Sequence, residues 1–297
     1  MKPELHTKPL IAFGWLRVLL LLAVYLCCIL LAGAVVALLL KQSSGSSTGS
    51  ASFVYLSVIV NMLITFALVG LFRKFIDRRT FSSLGFSLNN SGMHAGTGFF
   101  LGIFLMSTGA CILYFSRHLQ WTGISFNGRD LFLGFGLMVI VAFYEEVLVR
   151  GYILNNLMDS LGKWPALIIA ALVFALLHTA NPDFSLPGAV NVFLAGLLLG
   201  INYIYTKNLW YAILLHFSWN FFQGPVLGFE VSGVQLQSLL QHDLQGTELI
   251  TGGKFGFEGS VVATLLLALA TGAMAWIYSR KFAPIAAENT PAGKLAA

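Results

Sequence analysis

Six side chains from the middle of this sequence onward are of the kinds that move protons or hold a reacting water. Glu145, Glu146 and Arg150 stand in "AFYEEVLVRG", His178 closes "FALLH", and His216 and Asn220 bracket "HFSWN". Each stretch is otherwise apolar. An ionisable group near the middle of a membrane-spanning helix costs about 2.5 to 3.5 kcal/mol on insertion scales, so it is retained with a partner or for a task.

Spacing separates the roles. Glu146 and Arg150 are one helical turn apart and meet on one face, where they can neutralise each other. Glu145 points about 100° away from Glu146 and can face a cavity while its neighbour is occupied. His216 and Asn220 also share a face, so both can turn toward the cavity that Glu145 and His178 face. A carboxylate, two imidazoles and an amide suit hydrolysis by an activated water. Glu145 is the candidate base; His178 and His216 either orient the water or, with Glu145, ligate a metal; Asn220 can donate to a developing oxyanion. Ser218 beside His216 does not make a nucleophile and base pair, because residues two apart on a helix do not face each other.

Each element taken singly has a plainer reading. Glu146 with Arg150 can lock helices together, and a lone histidine or asparagine can be an interhelical hydrogen-bonding group. Polar groups this expensive on three separate spans are harder to explain by packing, which small residues and hydroxyls achieve at lower cost. Asn61, Asn191 and Asn202 are read as mainly structural, and Phe174, one turn before His178, as a cavity wall or core aromatic.

The elements that must position these groups are membrane helices. The chain has 297 residues, 57% hydrophobic and only 10% charged, where a soluble domain carries roughly a quarter charged residues. The formal charge of +5 is explained by basic cytoplasmic loops, and nucleic acid is not expected as a partner. Cys27, Cys28 and Cys111 fall within apolar runs and read as small buried hydrophobes, not as a disulfide framework or zinc site. Eight windows approach the roughly 20 apolar residues a span needs: 18–40, 53–72, 95–115, 131–152, 164–180, 188–206, 210–228 and 260–278. The first is read as a retained span, since it is longer than the core of a signal peptide. Between the first two lies the Gly/Ser-rich connection "KQSSGSSTGS". The expected class is therefore all-α, a polytopic helical bundle, divided into an N-terminal three-span region (1–130), a catalytic core (131–228) and a last loop, span and tail (229–297).

Short-loop Lys and Arg set the orientation. Lys2, Lys8 and Arg17 precede the first span and "RKFIDRR" follows the second. Alternation then places Lys163, Lys207, Arg280, Lys281 and Lys294 on the cytoplasmic side, both termini inside, and the connection 229–258 outside. Trp164, Trp210, Tyr211 and Tyr278 fall near span ends, where an interfacial belt explains them, and Asp130 in "GRD" is read as the cap of the fourth span. Polar residues concentrate in one half, which counts against a repeat-built transporter.

The three motifs, in this order and spacing, resemble the CPBP family of intramembrane metalloproteases, also called the CAAX protease and bacteriocin-processing or Abi family. Its EExxxR motif matches Glu145, Glu146 and Arg150; its FxxxH motif matches Phe174 and His178; its HxxxN motif matches His216 and Asn220. The resemblance covers about 143–221 and implies a multi-span protease of a bacterial plasma membrane. Its catalytic cavity lies in the bilayer, Glu145 is the base that activates water, Glu146 and Arg150 belong to the catalytic helix, and His178, His216 and Asn220 line the cavity. It implies a membrane-associated protein or peptide substrate, prenylated in eukaryotic relatives, with some bacterial members tied to bacteriocin immunity. The cofactor stays open between zinc or another divalent metal on His178, His216 and Glu145 and a water without metal, since HExxH is absent. A scaffold or immunity protein without activity is the alternative, and a proton-coupled transporter a third reading. One tension stands: His178 lies near the external end of span five and Glu145 near the cytoplasmic end of span four. Either helix four continues through "NNLMDSLGKW" or helix five is tilted or kinked near Pro165.

Overall fold

The computed structural model describes residues 8–44 and 51–288. Lys2, Lys294 and residues 45–50 of the Gly/Ser-rich connection lie outside them. Eight principal helices follow one another: α1 (Gly14–Ser44), α2 (Ala51–Leu71), α3 (Ser91–Phe115), α4 (Gly128–Glu146), α5 (Lys163–Leu177), α6 (Leu186–Ile201), α7 (Trp210–Phe221) and α8 (Val261–Glu288). Each expected window coincides with one of them. Among the described residues, six helical stretches are long and apolar enough to cross a membrane. The helices α5 and α7 are shorter, and α7 is extended by the π-helical turn Phe222–Val226, which contains Pro225.

Burial divides inner from outer helices. Nearly all of α7 is buried, from Tyr211 to Asn220. By contrast α1, α3 and α8 expose large apolar side chains such as Leu30, Leu31, Phe100, Phe104, Leu265 and Leu269, a surface suited to lipid and not to water. Inside the bundle the driving force is close packing, which small residues permit. A Cβ on Gly98 would stand 2.2 Å from the Tyr211 carbonyl, and one on Gly102 would stand 2.1 Å from Ser218 Oγ, so α3 and α7 touch nearly backbone to backbone. Gly196 of α6 meets Ala171 of α5 in the same way, 3.0 Å from its Cα.

Helix α4 resolves the tension between Glu145 and His178. It does not stop near Tyr152 but continues as a π-helix, Val147–Leu154, and an α-helical turn, Asn155–Leu157. Pro165 stands in the first turn of α5, where its missing N–H goes unneeded, so α5 runs straight back. The climb from Glu145 to Leu157 is roughly 18 Å and that from Lys163 to His178 roughly 22 Å at 1.5 Å per residue, which brings the two side chains to the same depth.

Several expectations are corrected. Cys27 and Cys111 are exposed and Cys28 half-buried, facing outward from the bundle. Tyr211 is fully buried, and Tyr278 is buried with its hydroxyl bonded to Asn202, so neither belongs to an interfacial belt; Trp164 is exposed as expected. The cap of α4 is Asn127, whose Oδ1 accepts from Arg129 N at 3.0 Å and Asp130 N at 3.3 Å, while Asp130 lies in the first turn. There it complements the positive end of the helix dipole.

Two features were not expected. Strands β1 (Leu119–Ile124) and β2 (Leu240–Leu244) form an antiparallel pair, Leu119 opposite Leu244 and Ile124 opposite Leu240. Second, "RKFIDRR" is not simply a solvated basic loop. Asp77 is fully buried and takes Arg17 at 3.0 Å and Arg73 at 2.9 Å; Arg17 also reaches Asp159 at 2.9 Å. Asp77 also accepts from Asn156 Nδ2 at 3.3 Å and from Tyr152 Oη at 3.4 Å, so the cluster ties α1 and α2 to the far end of α4.

Candidate active site

Glu145 and Glu146, adjacent in sequence, enter different environments because α4 turns them to different sides. Glu146 is fully buried and holds Arg150 at 2.8 Å, and Arg150 Nη2 donates to the Gly196 carbonyl at 3.0 Å. The guanidinium lies 4.5 Å from the Phe174 ring centroid. The pair expected from the i,i+4 spacing therefore forms, and it fastens α4 to α5 and α6.

His216 joins this pair: its Nδ1 stands 2.9 Å from Glu146 Oε1. A carboxylate only accepts, so Nδ1 carries a proton and Nε2 is turned to the other side. His178 is fixed similarly, Nδ1 donating to the Phe174 carbonyl at 2.8 Å, which turns its Nε2 outward. Phe174 packs edge-on against both imidazoles, with centroids 4.5 Å and 6.1 Å away.

Both Nε2 atoms face one oxygen. Glu145 Oε2 lies 3.8 Å from His178 Nε2 and 3.9 Å from His216 Nε2, beyond direct hydrogen bonding but spaced for a bridging water. Oε2 is buried with no hydrogen-bond partner, while Oε1 accepts from the Tyr144 hydroxyl at 3.2 Å. Asn220, one turn along α7 from His216, faces the same cavity, which has a volume of about 220 Å³. Leu137, Met138, Leu198 and Leu199 supply apolar wall, and Val54 and Val58 of α2 contribute to it.

All six residues read from the sequence thus gather at one place: Glu145, His178, His216 and Asn220 line the cavity, while Glu146 and Arg150 stand behind it. Sequence reasoning missed Tyr144, buried and bonded to Glu145; its signal was the tyrosine directly preceding the carboxylate pair. It also missed Asn181, Ser232 and Glu258, which line the cavity from distant segments and carry no local signal. Asn191 is structural as read, donating to the carbonyls of Glu258 and Ser260 at 2.7 and 2.8 Å. It lines the cavity as well.

The donor types of Glu145, His178 and His216 are those of a zinc site. Among the described residues, however, no three His, Cys, Asp or Glu side chains are grouped so as to hold a metal ion.

Residues 127–222 match the family model described as Rce1-like, Type II CAAX prenyl endopeptidase Rce1-like. The matched segment runs from the cap of α4 to just past the end of α7 and contains all seven motif residues, Phe174 among them. No curated protein and no solved structure matches the chain.

Proposed function

We propose that this chain, a multi-pass membrane protein whose residues 127–222 match the Rce1-like CAAX endopeptidase model, hydrolyses a peptide bond of a membrane-associated substrate with a water activated by Glu145. The observation that carries the reading is the orphaned Glu145 Oε2, buried and faced by the Nε2 atoms of His178 and His216. A water seated among these three groups donates one proton toward Oε2 and is oriented by an imidazole lone pair. Its oxygen attacks the scissile carbonyl as Glu145 takes the proton. Asn220 donates amide hydrogens to the oxyanion. Collapse breaks the C–N bond, and the proton held by Glu145 passes to the leaving amine, so peptide and water are consumed, a new carboxyl and a new amino terminus leave, and the Glu145 carboxylate is regenerated.

Glu146, Arg150 and Tyr144 position these groups without touching substrate. Glu146 fixes the tautomer of His216, and Arg150 holds Glu146 in place; Tyr144 holds Glu145 Oε1 so that Oε2 faces the imidazoles. In this reading the core 131–228 carries the chemistry, the regions 1–130 and 229–297 shape access to it, and both termini are cytoplasmic.

The test is mass-spectrometric mapping of products from the purified protein in liposomes, with membrane-embedded and prenylated peptides as substrates. Cleavage at a defined bond that His216→Ala and Asn220→Ala slow sharply is expected. Cleavage that both variants leave at the original rate would overturn the assignment.

A further inference from the structure

One carboxamide from the N-terminal region reaches the catalytic cluster. Val54 and Val58 of α2 contribute wall to the cavity, and Asn61 follows them on the same helix face, since residues three and four apart stand above one another. That face packs on α4: Val54 and Val58 lie against the apolar cluster formed with Leu137, Met138 and Ala142. The two helices run side by side in one direction. Beyond the end of α2, Phe72 meets the Tyr152 ring edge-on at 6.1 Å and Asp77 accepts from Asn156 at 3.3 Å. Asn61 falls between these two sets of contacts, opposite Tyr144, and its side chain hydrogen-bonds the Tyr144 hydroxyl.

Chemistry fixes the direction of that bond. Tyr144 has one hydroxyl proton, and Glu145 Oε1 accepts it over 3.2 Å; an ionised carboxylate can only accept. The hydroxyl oxygen keeps its lone pairs, so Asn61 must offer an amide hydrogen. The order is Asn61 Nδ2–H to Tyr144 Oη, then Tyr144 O–H to Glu145 Oε1. Hydrogen bonds in such a chain polarise one another, so the amide makes the phenol a stronger donor to the carboxylate. It also holds the hydroxyl in the one place from which it can reach Oε1. A carboxamide in an apolar helix is costly unless it is bonded, and here its partner is the residue that orients the base.

We propose that Asn61 is a positioning residue for the hydrolysis: acting through Tyr144, it keeps Glu145 Oε1 engaged so that Oε2 stays directed at His178 and His216. This rests on the peptidase reading. It gives α2, which lies outside the matched segment 127–222, a part in the site besides that of wall.

The test is a double-mutant cycle on peptide cleavage by the full chain in liposomes, with Asn61→Leu, Tyr144→Phe and the two combined. Leucine keeps the size of asparagine and lacks the amide. Asn61→Leu alone is expected to lower kcat about fivefold, as the loss of one ordinary hydrogen bond would. KM should hold, because Asn61 acts on the base and not on the substrate. In the Tyr144→Phe chain no hydroxyl is left to receive the amide, and adding Asn61→Leu is expected to leave kcat where Tyr144→Phe put it. Thr65→Val, one turn further on the same face and fully buried, reports any general loosening of α2 and should leave kcat in place. Thermal midpoints show that each variant is folded, and Asn61→Ala repeats the cycle without the bulk of leucine. Losses that multiply in the double variant, a raised KM in place of a lowered kcat, an unaffected kcat, or an equal loss from Thr65→Val would overturn the proposal. Glu145→Gln separates the two claims. Cleavage that needs Glu145 but ignores Asn61 sinks the positioning role alone; cleavage indifferent to Glu145, or none of any peptide, sinks the reading on which the role stands.

Discussion

Replacing Arg150 with Met isolates what the buried pair does. The side chain is 1% exposed and Glu146 is fully buried, so the substitution leaves a carboxylate in the bundle without its counter-ion. It also strips a donor from the Gly196 carbonyl and the cation from the Phe174 ring. Breaking a buried pair costs about 3 to 5 kcal/mol, and an unpaired charge at mid-membrane about 3 kcal/mol on insertion scales; the two estimates agree, and we expect a loss of about 3 kcal/mol. Glu146→Gln combined with Arg150→Met removes both charges, and most of that loss should return. Activity should not return with it, because His216 Nδ1 then faces an amide where the carboxylate fixed its tautomer and orientation; a drop of about a hundredfold is expected from such misplacement. Reversible unfolding in mixed micelles gives the stability cycle, and peptide cleavage gives the rate. Strictly additive losses in the double variant, or an Arg150→Met protein as stable as the original, would refute the reasoning.

Tyr144→Phe removes the hydroxyl bonded to Glu145 Oε1; with hydrogen bonds to charged groups contributing about 1.5 kcal/mol or more, kcat should fall about tenfold in the cleavage assay while the unfolding midpoint stays within a degree or two. Gly102→Ala forces a Cβ to 2.1 Å from Ser218 Oγ and 2.9 Å from the Leu215 carbonyl; overpacking of this kind costs about 1 to 3 kcal/mol, and a lowered thermal midpoint in detergent would register it. His242 on β2 lies between Phe229 and Trp121, with centroids at 4.8 and 6.0 Å, and burial pushes its pKa below the usual value for histidine. The fold therefore favours the neutral ring. Its contribution is complete above the unfolded pKa of about 6.5 and is lost as pH falls through the lower folded value. Thermal midpoints recorded from pH 7 downward should decline, and His242→Gln should flatten that decline.

The parts of the site legible in the sequence were those written in local periodicity. Glu146 and Arg150 meet because they are one turn apart on one helix, and His216 and Asn220 share a face for the same reason. The different facing of Glu145, about 100° from Glu146, follows from the same rotation. What was not legible depends on tertiary neighbours. Asp77 reads as one acid in a basic loop, and only the approach of Arg17 and Asp159 from α1 and the end of α4 makes it the centre of a buried network. Nothing near Glu258 announces that it will bond Ser232 beside a cavity lined from α2 and from α4 to α8. The β1 and β2 strands are short, and pairing across a long stretch of sequence is invisible to patterns read within a window. The outward-facing cysteines show the complementary error: an apolar run identifies a span but not which of its faces meets lipid.

The account stands on Glu145, and rate measurement on the purified chain and its Glu145→Gln variant, side by side in liposomes, tests it most directly. Glutamine keeps the size and the acceptor for Tyr144 but cannot take a proton from water. A cleavage rate lower by about two to four orders of magnitude, with an unchanged unfolding midpoint, is the predicted result. Equal cleavage by the two proteins would contradict the account.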